Sequence, residues 1–204
     1  MSPGSLLPCP LCLVHGAWAD LCSRGGHAFR HSRHALMQEG ILWSILESEM
    51  EAILMKIVDF ITESHVIADL EAREKGEVLL ELSRHLADVS GLDADVVHRI
   101  LEEREKLGST GIDEGVAIPH GKLSSLKHLE GLVARSIKGV DFDAIDGKPT
   151  HLFVVLLTPD NNAGLLALAR VSRMMRAPSF RETLLKAADS AEMYRIIAEQ
   201  DSRI

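Results

Sequence analysis

The stretch Arg104-Glu-Lys-Leu-Gly-Ser-Thr-Gly-Ile-Asp-Glu-Gly-Val-Ala-Ile-Pro-His120-Gly121 gathers the residue types that phosphoryl transfer uses. A histidine side chain in water titrates at ~6.5, so near neutral pH the ring is largely uncharged and carries one nucleophilic nitrogen. Moving a phosphoryl group depends on in-line approach and on stabilising charge on the equatorial oxygens more than on acid–base help. His120 is the candidate acceptor of such a group. Arg104 offers a two-pronged guanidinium, and Ser109 and Thr110 offer hydroxyl donors. Gly108, Gly111, Gly115 and Gly121 let the backbone approach closely, and free N–H groups in such a turn make an anion-binding nest. Pro119 stiffens the approach to His120, and Gly121 leaves space beside the ring. On residue chemistry alone a second reading stays open. In it His120 is an ordinary loop histidine and the glycines only turn the chain.

Such side chains need a frame, and hydrophobic periodicity supplies one. Val78, Leu79, Leu82, Leu86 and Val89 fall on one face of a helix predicted over 77–89. Gly91 stops it, Asp93 caps a second helix carrying Val96, Val97, Ile100 and Leu101, and that helix ends near Gly108. Upstream, residues 57–61 suggest a short helix and 65–70 a short strand. Further strands are predicted at 115–120, 131–138 and 151–158. The last is almost continuously apolar, as a central strand covered on both faces must be. Helical spacing returns over 163–175. Pro178 and Ser179 open another helix through Leu184 and Leu185, and Ser190 caps a last one with Met193, Ile196 and Ile197. Strands interleaved with helices predict a layered α/β domain with His120 at a strand end.

A chain of 204 residues with 46% apolar content can bury one substantial core and carry an appendage. A net charge of −8 argues against a nucleic-acid partner, and 4% aromatic residues argue against a stacking platform for single strands. No apolar run reaches the roughly 18–20 residues that span a bilayer, so no membrane insertion is expected. With all three cysteines in the first 22 residues, the rest of the chain has no disulfide option, so a reducing cytoplasm is expected. Residues 1–54 differ in kind from the rest, holding all three cysteines, both tryptophans, four of ten histidines and three of seven prolines. They are expected to be a disordered N-terminal extension, or the product of a start assigned upstream of Met50 or Met55. Cys9, Cys12, Cys22 and His27 have the spacing of a zinc knuckle, but their neighbours offer little core to organise, so no metal is expected. Asp141, Asp143 and Asp146 precede Gly147 in a predicted turn rather than a calcium site. Glu102, Glu103 and Glu105 read as a solvated helix face. His65, His85, His98, His128 and His151 read as surface or packing residues. Arg170, Arg173, Arg176 and Arg181 either solvate their helices or form a docking surface.

Three runs, Arg104-Glu105, Gly108-Ser-Thr-Gly-Ile112 and Ala117-Ile-Pro-His-Gly121, resemble the signature of the IIA domains of the bacterial phosphoenolpyruvate-dependent phosphotransferase system (PTS). The similar branch is EIIA type-2, the fructose/mannitol class, which includes the nitrogen-regulatory IIA proteins. The likeness continues through 140–149, 152–157, 168–172 and 192–194, and covers 55–201. It implies a mixed β-sheet flanked by helices on both faces. It also implies that His120 accepts phosphate from an HPr-type phosphocarrier while Arg104 steadies the group, with no metal or organic cofactor. The phosphate would then pass to a IIB acceptor or serve as a nitrogen-regulatory signal, and the absence of an attached membrane or IIB-like domain favours the latter. One departure stands out. The family often opens the helix after its apolar strand with His-Leu-x-x-Leu-Ala, whereas this chain has Gly164-Leu-Leu-Ala-Leu-Ala169. Gly164 thus takes the place of a second histidine, with Asn161 or Asn162 as candidate substitutes. That departure supports an alternative: a regulatory protein-binding module with little onward transfer, switched by phosphorylation of His120.

Overall fold

The computed structural model describes residues 55–204, so the expected extension and its cysteines lie outside the described residues. Two 3-10 turns, Ile57–Asp59 and Glu63–His65, lead into strand β1, Val66–Ile67. Helices α1 (Lys75–Ser90) and α2 (Ala94–Lys106) follow, then strands β2 (Val116–Ala117), β3 (His120–Lys122), β4 (Glu130–Val140) and β5 (Thr150–Thr158). Helices α3 (Asn161–Met175), α4 (Pro178–Lys186) and α5 (Ser190–Asp201) close the chain. The predicted helix at 57–61 is thus one 3-10 turn, and the strand at 65–70 shrinks to two residues.

Punctuation by glycine and short polar side chains works largely as expected. Gly91 ends α1 in the left-handed region at φ 66°, where a side chain would be strained. Asp93 caps α2 by accepting from the N–H groups of Asp95 and Val96. The last helix is capped by Asp189, which accepts from Glu192 N–H, and Ser190 is its first residue. The carboxylate one position earlier is the stronger acceptor. The strand expected over 115–120 breaks into β2 and β3 around Ile118 and Pro119. Proline has no N–H to give a ladder, although its carbonyl still accepts from Leu156 N–H at 3.0 Å.

The sheet runs β1-β4-β5-β2, with β3 also against β5. β4 and β5 are antiparallel, and the other pairs are parallel, so the sheet is mixed. Residues 152–157 of β5 are all buried. Alternation sends Leu152, Val154 and Leu156 into a core with Ala167, Val171, Leu184, Met193 and Ile197. Phe153, Val155 and Leu157 enter a second core with Val78, Leu82, Leu86, Val97 and Leu101. Helices therefore cover both faces, α3 to α5 on one and α1 and α2 on the other. Each large apolar side chain so buried contributes about 1.5–3 kcal/mol, which is why β5 lacks a polar face. Among the described residues no helix is long and apolar enough to cross a membrane.

Candidate functional site

β2 and β3 lie in line along one edge of β5. His120, Gly121 and Lys122 stand opposite Leu156, Leu157 and Thr158. Side chains alternate along strands, so His120 and Lys122 share a face with Leu156 and Thr158, the face that α3 covers. Gly121 looks the other way, toward α2. A Cβ on Gly121 would sit 2.2 Å from Ile100 Cγ2, so only glycine lets α2 lie this close. The space expected beside the imidazole is filled instead by this helix contact. Arg104 follows Ile100 by one turn on the same side of α2. It reaches around the sheet edge to His120.

There the Arg104 Nε–H donates to His120 Nε2 at 3.2 Å, and Nη1 donates to Gly108 O at 3.0 Å. His120 Nδ1 lies 2.8 Å from Ile118 O. A guanidinium only donates and a carbonyl only accepts, so these contacts select one tautomer. Nδ1 carries the hydrogen, and Nε2 presents its lone pair. The half-buried ring opens on a cleft of about 320 Å³ whose walls include Arg104, Lys122, Thr158, Gly164 and Leu165. A neutral imidazole with a fixed lone pair, a guanidinium in contact with it and room for a tetrahedral group can act as a phosphoryl acceptor.

The turn between α2 and β2 is organised by a different set of bonds. Ser109 Oγ donates to Phe142 O at 2.7 Å and accepts from Gly111 N–H at 3.1 Å. Thr110 Oγ1 donates to Glu105 Oε2 at 2.6 Å, and Thr110 N–H donates to both carboxylate oxygens at 3.1 Å. Both hydroxyl protons, and two N–H groups of the expected nest, are thus engaged away from His120 Nε2. The reason is Glu105. Expected on a solvated face, it is only 7% exposed, because it sits one helical turn beyond the buried Leu101. A buried carboxylate must be satisfied, and Lys75 Nζ completes it at 2.9 Å while also reaching Asp143 Oδ2 at 2.8 Å. Burial works against the charge on Lys75, but its bonds to Asp143 and Glu105 outweigh that and hold its pKa above the ordinary lysine value.

The family profile described as "Phosphoenolpyruvate-dependent sugar phosphotransferase system, EIIA 2" matches residues 59–200. The chain belongs to this family. Among EIIA 2 relatives, a nitrogen regulatory protein of Bradyrhizobium diazoefficiens is 36% identical over 146 residues, a match spanning 71% of this chain and 95% of that one. The fructose-specific EIIABC component of Bacillus subtilis is 33% identical over 150 residues, 72% of this chain but 24% of that larger protein. The crystal structure of the nitrogen regulatory protein IIA-Ntr from Neisseria meningitidis superposes with a TM-score of 0.62 at 36% identity, covering 68% of this chain and 97% of that one.

In this EIIA 2 domain the four arginines do not act as one patch. Arg170 Nε is bound to Asp201 Oδ1 at 2.7 Å, and Arg181 is bound to Glu114 and to Met175 O, leaving Arg173 and Arg176 exposed. Asp146 accepts from the N–H groups of Glu114 and Lys148, and these bonds hold its carboxyl below the usual range, as a turn residue's would be. Two cleft residues escaped the sequence reading, Lys122 and Thr158. Only Lys122 had a legible signal: it is two residues beyond His120, so any strand through both puts them on one face.

Proposed function

We propose that this EIIA 2 protein is a cytoplasmic phosphohistidine carrier. Residues 55–201 form the domain, and His120 Nε2 is the acceptor of phosphate from an HPr-type phosphocarrier. The observation that carries the reading is the pair of bonds on one ring, Arg104 Nε–H to Nε2 and Nδ1–H to Ile118 O. In the forward step the Nε2 lone pair attacks phosphorus in line. The N–P bond of the donor phosphohistidine breaks, and its electron pair returns to the donor ring. Nδ1–H stays on Ile118 O and holds the ring as it becomes cationic. Arg104 exchanges its contact with Nε2 for the phosphoryl oxygens, which a planar fork accepts two at a time. Ser109 and Thr110 serve by fixing the turn that carries Gly108 O, the second anchor of Arg104. The group then moves directly to a IIB acceptor or remains as a nitrogen-regulatory signal, and neither route calls for a metal or organic cofactor.

The near full-length match to a nitrogen regulatory protein supports the regulatory destination. Gly164 in the cleft supports the second reading, a binding module switched by phosphorylation with little onward transfer. The test is incubation with phosphoenolpyruvate, enzyme I and an HPr-type carrier, followed by intact-mass analysis. One acid-labile phosphate is expected, absent in His120→Ala and retained in His128→Ala. Uptake that survives His120→Ala would refute the proposal. Transfer from the phosphorylated chain to a IIB protein separates the carrier from the switch.

A further inference from the structure

We infer that the Thr158 hydroxyl is a second group that holds the phosphoryl moiety on His120, and that Gly164 is what keeps this hydroxyl open to it. The inference rests on the carrier reading above and adds a residue to its machinery. Sheet register supplies the first argument. Thr158 stands opposite Lys122 on the same face as His120, as the diagonal neighbour of the histidine. Two residues along a strand span about 6.6 Å and neighbouring strands lie about 4.8 Å apart, so the two positions are about 8 Å apart. A phosphoryl group joined to the imidazole on one side can bridge that gap to a hydroxyl on the other. Both residues border the same cleft as Arg104.

The second argument concerns the proton. Among the described residues Thr158 Oγ1 has one partner, Gly121 O, at a long 3.4 Å. That bond is weak enough to be exchanged for a charged oxygen at little loss. Thr158 is only 7% exposed, and in so poorly solvated a place a donor to a dianion is worth more than in water. Arg104 belongs to α2 and Thr158 to the end of β5, so the two border the cleft from different elements and are placed to serve different oxygens.

Gly164 supplies the third argument. A Cβ built there would lie 3.0 Å from Thr158 Oγ1 and 3.2 Å from its Cγ2, both tighter than ordinary contact. Any side chain at position 164 would press on the threonine and close over its hydroxyl. Glycine at the opening of α3 and threonine at the end of β5 therefore work as a pair, one donating and the other leaving room.

The test uses the full chain and four variants, Thr158→Val, Thr158→Ser, Gly164→Ala and the double Thr158→Val/Gly164→Ala. Phosphate uptake from an excess of phosphorylated HPr-type carrier is followed by quenched intact-mass analysis, and thermal melts check folding. Removing one bond to a charged group predicts that Thr158→Val slows uptake about ten- to a hundredfold. Thr158→Ser should recover most of the rate, which a purely steric role would not allow. Gly164→Ala should slow the wild-type background but add nothing to Thr158→Val, because its effect passes through the hydroxyl. Uptake by Thr158→Val at the wild-type rate, or Thr158→Ser as slow as Thr158→Val, overturns the inference and leaves the carrier reading standing. No phosphate on the wild-type chain overturns both.

Discussion

At His120 the two ring nitrogens have opposite duties, one anchored by a carbonyl and the other aimed at a guanidinium. Arg104 makes its two bonds from a rigid planar fork, touching Nε2 and Gly108 O together. Lysine keeps the charge but has no fork. Arg104→Lys should therefore slow phosphate uptake about tenfold or more with little change in melting temperature, as read by the same quenched mass assay. Elsewhere, His65 is a pH-sensitive residue outside the cleft. Burial holds its imidazole below the usual histidine value, Glu130 at 3.8 Å opposes this, and nearby His85 reinforces it. The folded state thus favours the neutral ring, and the unfolded chain binds the proton more readily. The stability involved is fully present above the unfolded value of ~6.5 and is lost as pH falls through the lower folded value. Urea midpoints at pH 8 and pH 5 should differ less in His65→Gln than in wild type.

Elements meet at the site because α2 can touch β3 at one glycine. With a Cβ on Gly121 only 2.2 Å from Ile100 Cγ2, Gly121→Ala forces α2 to lift. Overpacking of this kind costs about 1–3 kcal/mol, and here it also draws Arg104 away from His120. Melting temperature and phosphate uptake should fall together. Ile100→Ala in the same chain should restore part of both, since it removes the atoms in collision. Uptake at the wild-type rate in Gly121→Ala would show that α2 does not carry Arg104 away. The same helix explains why Glu105 and its neighbours part company. Glu102 faces outward to pair with Lys106 at 3.1 Å, whereas Glu105 turns inward to Thr110 and Lys75.

At the scale of the whole described chain, the buried charges Asp201 and Arg135 each tie distant segments. Asp201, 1% exposed, accepts from Ile57 N–H at 2.7 Å and from Val58 N–H at 3.2 Å, and it pairs with Arg170 at 2.7 Å. The final helix is thereby fastened to the first described turn. Asp201→Ala takes the carboxylate from Arg170 Nε and from two backbone N–H groups, and breaking such a buried pair costs about 3–5 kcal/mol. A large drop in melting temperature is expected, with phosphate uptake far below the melt nearly intact. Arg135, 3% exposed, plays a similar part with carbonyls rather than a carboxylate. It donates to Ala68 O near β1 and to Leu184, Leu185 and Ala187 at the end of α4.

Much of this was legible in the residues alone, wherever the cause is local. The apolar run of β5, the face of α1, the cap at Asp93 and the stop at Gly91 are set by periodicity and by side chains within a few positions of their targets. The run from Arg104 to His120 is equally visible, as residue types suited to phosphoryl transfer and through its resemblance to the EIIA type-2 signature. The rest belongs to the tertiary structure. That Arg104 meets Nε2, that Glu105 turns in and takes up Thr110, and that Thr158 packs against Gly164 in the cleft wall all depend on strand register and on how closely a helix lies on a sheet. Those are relations between segments far apart in the chain, and a local pattern of residue types carries no record of them until the two cores have packed.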